Sequence, residues 1–170
     1  MERALKVLNE LQKSGIINDY AIGGGIAVAF YIEPVVTYDL DIFYITSYEE
    51  NGLIALTSIY DWLRKRGYRE SKEQVEIEGI LVQFIPVYNK LIKEGLENAI
   101  EKRYKRTKTK ILKAEYLIAI MLETYRPKDR ERIVRIIDEA DIDIRYTKQI
   151  LKRHGLIKKF EHFMKLYYEK

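Results

Sequence analysis

The 170-residue chain has no cysteine, only two histidines (His154 and His162), three prolines and one tryptophan. Without thiols there is neither a disulfide framework nor a thiolate zinc site. With so few imidazoles a histidine-built metal centre is not expected. Any metal would rest on carboxylates, which favours Mg²⁺ or Mn²⁺. No apolar run reaches about 18 residues, and the start Met1-Glu2-Arg3-Ala4 has no long apolar core. The sequence therefore predicts no membrane span or export signal, and a cytoplasmic protein. Low-complexity tracts, internal repeats and Ser/Pro-rich linkers are absent too. What is present is 47% hydrophobic residues, enough for one core, and 33% charged residues with a net charge of +4.

The most informative passage runs from Tyr20 to Tyr44. Gly23-Gly24-Gly25 follows an apolar strand pattern (Tyr20, Ala21, Ile22) and opens an apolar helix, a place where backbone N–H groups can meet phosphate. Asp39-Leu40-Asp41 then alternates acid and apolar residues among Tyr38, Ile42 and Phe43, as a buried strand does. Side chains alternate along a strand, so Asp39 and Asp41 share a face, with Cα atoms roughly 6.5–7 Å apart. Two like charges in an apolar setting are costly without a cation, so the pair reads as a metal grip for phosphoryl chemistry. Glycines and acids together read as a nucleoside-triphosphate site.

Elsewhere the periodicity predicts a first helix bearing Leu5, Leu8 and Leu11 and ended by Ser14-Gly15. A strand follows near 20–22, then a helix over 26–31 stopped before Pro34, the acid strand over 38–45, and a helix over 53–65 whose buried side is Ile54, Leu56, Ile59, Trp62 and Leu63. Val75–Glu78 and Ile80–Ile85 read as a hairpin or consecutive strands. The remainder reads as helices over 90–103, 114–124, 128–139, 146–153 and 157–168, with a strand at 109–112. The expected organisation is an α/β core over 1–88 and a helical subdomain over 89–170 packed on it.

At the glycines and Asp39-Leu40-Asp41 the chain resembles the nucleotidyltransferase superfamily. Closer still is the AbiEii-like branch, which includes toxins of abortive-infection and toxin–antitoxin systems. The residues carrying this are Thr37-Tyr38-Asp39-Leu40-Asp41, Arg126-Pro127-Lys128-Asp129, and Phe84-Ile85-Pro86 leading into Leu91–Ala99. The resemblance implies an α/β (α+β) fold of the DNA polymerase beta-like kind, with a mixed sheet and a helical C-terminal half. It also implies transfer of a nucleoside monophosphate from NTP to a hydroxyl, with Mg²⁺ or Mn²⁺ on Asp39 and Asp41. Gly23 and Gly24 would hold the phosphates with Thr37 in support, and Arg126, Lys128 and Asp129 would add to the site, although Lys128-Asp129 also reads as no more than a helix start with Asp129 favoured by the helix dipole. RNA, including tRNA, and a cognate antitoxin enter as partners by resemblance alone.

Two departures weigh on catalysis. The superfamily's third carboxylate falls on the strand Leu81-Val82-Gln83-Phe84, where the polar residue is Gln83. An amide can make a hydroxyl or metal contact there but cannot act as a base. Glu76 and Glu78, sharing a strand face, are the nearest acids in sequence, although a solvated strand face explains them as well. A lysine common in the toxin branch is matched by Met121, with Arg126 or Lys128 as substitutes. Seven Lys/Arg without an acid between Lys102 and Lys113, a basic tail from Arg145 onward, and Tyr104, Tyr146, Tyr167 and Tyr168 offer a surface for RNA. The competing readings are a degenerate member that binds nucleotide or RNA without turnover, and an interaction module for an acidic partner.

Overall fold

Seven strands form one mixed sheet in the order β3-β4-β5-β2-β1-β7-β6. The computed structural model describes residues 1–33, 37–46 and 52–169, apart from the side chains of 52–54. The elements are α1 (Glu2–Lys13), β1 (Asp19–Ile22), α2 (Gly24–Val28), β2 (Asp39–Ile45), α3 (Gly52–Arg64), β3 (Arg69–Ser71), β4 (Gln74–Ile77), β5 (Ile80–Pro86), α4 (Lys90–Glu97), β6 (Ile100–Tyr104), β7 (Thr107–Ile111), α5 (Ala114–Thr124), α6 (Pro127–Glu139), α7 (Ile144–Arg153) and α8 (Ile157–Tyr168). The stop expected at Pro34 and the buried role expected of Ile54 lie outside the described residues. Among those described, no helix is long and apolar enough to cross a membrane.

The central strand, β2, pairs antiparallel with β1 and parallel with β5. Its two faces differ in kind. Leu40, Ile42 and Tyr44 are buried on one face together with Val82, Phe84, Val75 and Ile77. α3 covers that side, setting Tyr60 edge-on to Phe84 at 6.5 Å and Arg64 on Glu70 of β3 at 2.8 Å. The other face carries Asp39, Asp41 and Phe43, and the C-terminal helices stand over it. α5 is buried nearly all round, with Ala114 and every residue from Tyr116 to Leu122 enclosed, as an apolar helix at the centre of a bundle must be. Glu94 of α4 braces it. That carboxylate accepts from the Tyr116 hydroxyl (2.8 Å), meets His154 Nε2 of α7 (2.6 Å), and pairs with Arg153.

One expected helix is corrected. The helix expected over 90–103 stops at Glu97, and residues 100–104 form β6, hairpinned to β7. Glu101, Lys102 and Arg103 are good helix formers, which is why the local pattern misleads. Cross-strand pairing with β7 overrides that preference. β3 was also not legible, being three exposed residues at an edge.

Candidate active site

Asp39 and Asp41 open β2 at the middle of the sheet, Asp39 exposed and Asp41 half-buried. The glycine turn leaves β1 and docks beside them, the Gly23 amide donating to the Asp41 carbonyl at 2.9 Å. That bond occupies the Gly23 N–H. Gly23 thus ties the turn to β2, and the amides of Gly24 and Gly25, first in α2, have no helical partners. Gly24 has φ +56°, and a Cβ there would lie 1.8 Å from Oδ2 of Asp41. Only glycine fits both demands. A Cβ on Gly25 would fall 2.6 Å from Arg132 Nη2 and 2.7 Å from Thr37 Oγ1. Thr37, Gly24, Gly25, Asp41 and Arg132 therefore meet at one spot.

Asp41 carries the electrostatic signature of that spot. Burial pushes its carboxyl above the ordinary value and the Asp39 charge adds to this. Lys128, Arg126 and Arg132 pull the other way without cancelling the rise. The donors are hard carboxylate oxygens whose mutual repulsion a divalent cation would relieve, so the residues present fit Mg²⁺ or Mn²⁺. Among the described residues no cluster of three His, Cys, Asp or Glu completes a cage. Asp39 and Asp41 would hold the ion, with phosphate oxygens and water filling its remaining positions.

The Arg126-Pro127-Lys128-Asp129 element forms the corner between α5 and α6. Asp129 is fully buried and accepts from Arg126 Nε (2.8 Å), the Arg126 amide (3.0 Å) and the Thr124 hydroxyl (2.8 Å). As the third residue of α6 it caps the helix through the Arg126 amide, and Pro127 supplies a first position that needs no N–H. Asp129 is thus the pin of the corner, at the wall of the cleft. Arg126 and Lys128 are exposed and act on Asp41 from across the cleft. A cavity of about 360 Å³ runs from Gly24, Asp41, Gln83, Arg126 and Arg132 to an apolar end at Phe43, Ile85, Leu117 and Met121.

Gln83 is the register partner of Asp41, so an amide stands where the third acid was sought. Met121 is buried in the cavity wall. Glu78 does not share the strand face of Glu76. It sits beyond the end of β4 at φ +53°, bound to Tyr68 (2.9 Å) and Arg3 (3.1 Å). A residue of this cleft not picked out from sequence is Arg132, which lies beside Gly25 and lines the cavity. Its signal was its place four residues after Lys128, on the same face of one helix. The basic stretch from Lys102 forms the β6–β7 hairpin. Because β7 runs parallel to β1 with Ile111 beside Ile22, the Lys105-Arg106 turn lies at the sheet end opposite the glycines.

No family model matches the chain, and no curated protein sequence matches it. Solved structures do. An antigenic nucleotidyltransferase-like protein from Paracoccidioides brasiliensis aligns over 94% of this chain and 92% of its own, with TM-score 0.57 at 14% identity. Two structures of ANT(2'')-Ia also match. The complex with adenylyl-2''-tobramycin covers 96% of this chain and 98% of its own (TM-score 0.49, 14% identity). The solution structure of this antibiotic-resistance factor covers 95% and 99% (TM-score 0.48, 13% identity). With its mixed seven-stranded sheet and helical C-terminal half, the chain has the nucleotidyltransferase fold.

Proposed function

We propose that the chain transfers a nucleoside monophosphate from NTP to a hydroxyl acceptor, with Mg²⁺ or Mn²⁺ held by Asp39 and Asp41. The observation that carries this reading is the meeting of Asp41, Gly24 and Arg132, which places acids and phosphate donors at one point. The cation would neutralise charge on the triphosphate and orient the attacking oxygen. The free amides of Gly24 and Gly25 and the Arg132 guanidinium bind phosphate oxygens, with Thr37 beside them and Arg126 and Lys128 adding positive potential. The acceptor oxygen bonds to the α-phosphorus and gives up its proton to water, the bond from that phosphorus to the bridging oxygen breaks, and pyrophosphate leaves with the electron pair.

Pyrophosphate release with each of the four NTPs, Mg²⁺ or Mn²⁺ and a panel of acceptors tests the reading. Release that needs both the cation and the two aspartates supports it. Tight nucleotide binding with no release, at saturating metal, would support the second reading, a binding protein without turnover. Gln83 in register with Asp41 is what keeps that alternative open. The toxin-like reading, with tRNA as acceptor and an antitoxin partner, rests on the Thr37–Asp41 and Arg126–Asp129 resemblance. Growth arrest on expression, relieved by Asp41→Asn, would test it.

A further inference from the structure

We propose that the outer edge of β6 is a docking site for an extended, acidic segment of a partner protein, which adds to the sheet as a further strand. The proposal stands apart from the transferase reading and does not depend on it.

β6 is the last strand of the sheet, so one of its sides meets no other strand. The two-residue turn Lys105-Arg106 makes Tyr104 and Thr107 a pair that exchanges both main-chain hydrogen bonds. Such pairs alternate along an antiparallel ladder, so Lys102–Thr109 and Ile100–Ile111 are bonded in the same way. Glu101 and Arg103 therefore turn their N–H and C=O groups away from β7. Among the described residues no hydrogen bond reaches those groups. They present donors and acceptors at strand spacing, which is what an incoming strand requires. The opposite edge of the sheet, β3, is three residues long and offers less.

The charges say which strand fits. Lys102, Arg103, Lys105 and Arg106 are exposed, and among the described residues none is in an ion pair. Glu101, the acid of the strand, is already held by Lys108 at 2.9 Å. A second copy of β6 is a poor fit. Two-fold antiparallel pairing through Glu101 and Arg103 always sets Glu101, Lys102 or Arg103 against its own copy, and like charges placed opposite destabilise a strand pair. A phosphodiester backbone fits poorly too, because its oxygens would face the outward carbonyls of Glu101 and Arg103. Tyr104, the one aromatic ring of the hairpin, is packed on the core and is not free to stack on a base. An acidic strand satisfies carbonyls and amides together, and its carboxylates meet Lys102 on one face and Arg103 on the other. β6 lies three strands from β2, about 14 Å across the sheet, so a docked segment leaves the aspartates uncovered.

Fluorescence anisotropy tests this with a labelled peptide alternating glutamate and valine, the same peptide N-methylated at every residue, a lysine–valine counterpart and a single-stranded RNA. The full chain is compared with Glu101→Gln, Glu101→Pro and Lys102→Glu/Arg103→Glu. The glutamate peptide should bind, more weakly as salt rises, and the N-methylated and lysine peptides should not. Glu101→Gln should tighten binding, because it removes an acid from the edge. Glu101→Pro removes the same acid together with the outward N–H, at a position where an edge strand tolerates proline, and should instead weaken binding about tenfold. An unchanged thermal midpoint checks that this variant keeps its fold. The charge reversal should abolish binding. The proposal is overturned if the glutamate peptide does not bind, if N-methylation changes nothing, if Glu101→Pro binds as Glu101→Gln does, or if RNA binds better. It is overturned as well if sedimentation shows a dimer that Glu101→Pro dissociates. None of these readouts uses NTP, so their failure leaves the transferase reading standing.

Discussion

Where the glycine turn and α6 close on β2, cations prevail: Arg126, Lys128 and Arg132 against the buried Asp129. Where β5 and β4 carry the same sheet face outward, an exposed acid, Glu76, and the half-buried amides of Gln74 and Gln83 take their place. Asp39 and Asp41 lie on the line between. The closed wall is assembled from parts distant in sequence, whereas the open one is a local hairpin.

The comparison is broken most completely at the line itself. Asp39→Asn/Asp41→Asn should cut transfer roughly 10³-fold in a pyrophosphate assay, several kcal/mol of lost charge stabilisation. The same change should raise the thermal midpoint of the metal-free protein at neutral pH. A carboxyl whose folded pKa is raised is favoured below that pKa and weakens the fold as pH climbs through it. Next in size is Gly24→Ala. Its Cβ would displace the Asp41 carboxylate and strain a positive φ, so transfer should drop on the order of 100-fold and urea denaturation should show lost stability. Arg132→Ala should raise the KM for NTP about tenfold, while Gln74→Ala on the open wall leaves it alone. Were both to act alike, the division between the walls would be wrong. Gln83→Glu returns an acid beside Asp41 and should raise kcat roughly tenfold under conditions where hydroxyl activation limits the rate.

The smallest effect concerns the brace behind the closed wall. Burial pushes the Glu94 carboxyl up, but hydrogen bonds from Arg153, Tyr116 and His154 outweigh this and hold it at about 2. Its contribution to stability is therefore complete above the usual value of 4.5 and is lost as pH falls towards 2. Denaturant midpoints measured across that window should decline in the wild type and more shallowly in Glu94→Gln.

How much of this was legible depended on whether the signal was local. The acids and the glycines announced themselves because alternation along one strand and a turn before a helix are short-range patterns. That Gly23 docks the turn instead of holding phosphate was not legible, since its partner is a carbonyl on another strand. Asp129 was legible as a residue of a helix start, but sequence does not show the Thr124 hydroxyl and Arg126 guanidinium that enclose it. Arg132 was passed over for a related reason. Its importance comes from contact with Gly25, 107 positions earlier in the chain. The β6–β7 hairpin misled most, because charged residues with helical preference were made into strands by their pairing.

The buried corner at Asp129 has a further consequence for how the cleft answers to acidity. Burial pushes the Asp129 carboxyl up, yet Arg126 and Thr124 outweigh it and leave the group below its ordinary value, while Asp41 is displaced upward. Two aspartates on one cleft are thus displaced in opposite directions from a common ordinary value. As pH falls in the metal-free protein, Asp41 therefore takes up its proton before Asp129, and the angle between α5 and α6 that aims Lys128 and Arg132 outlasts the charge on Asp41.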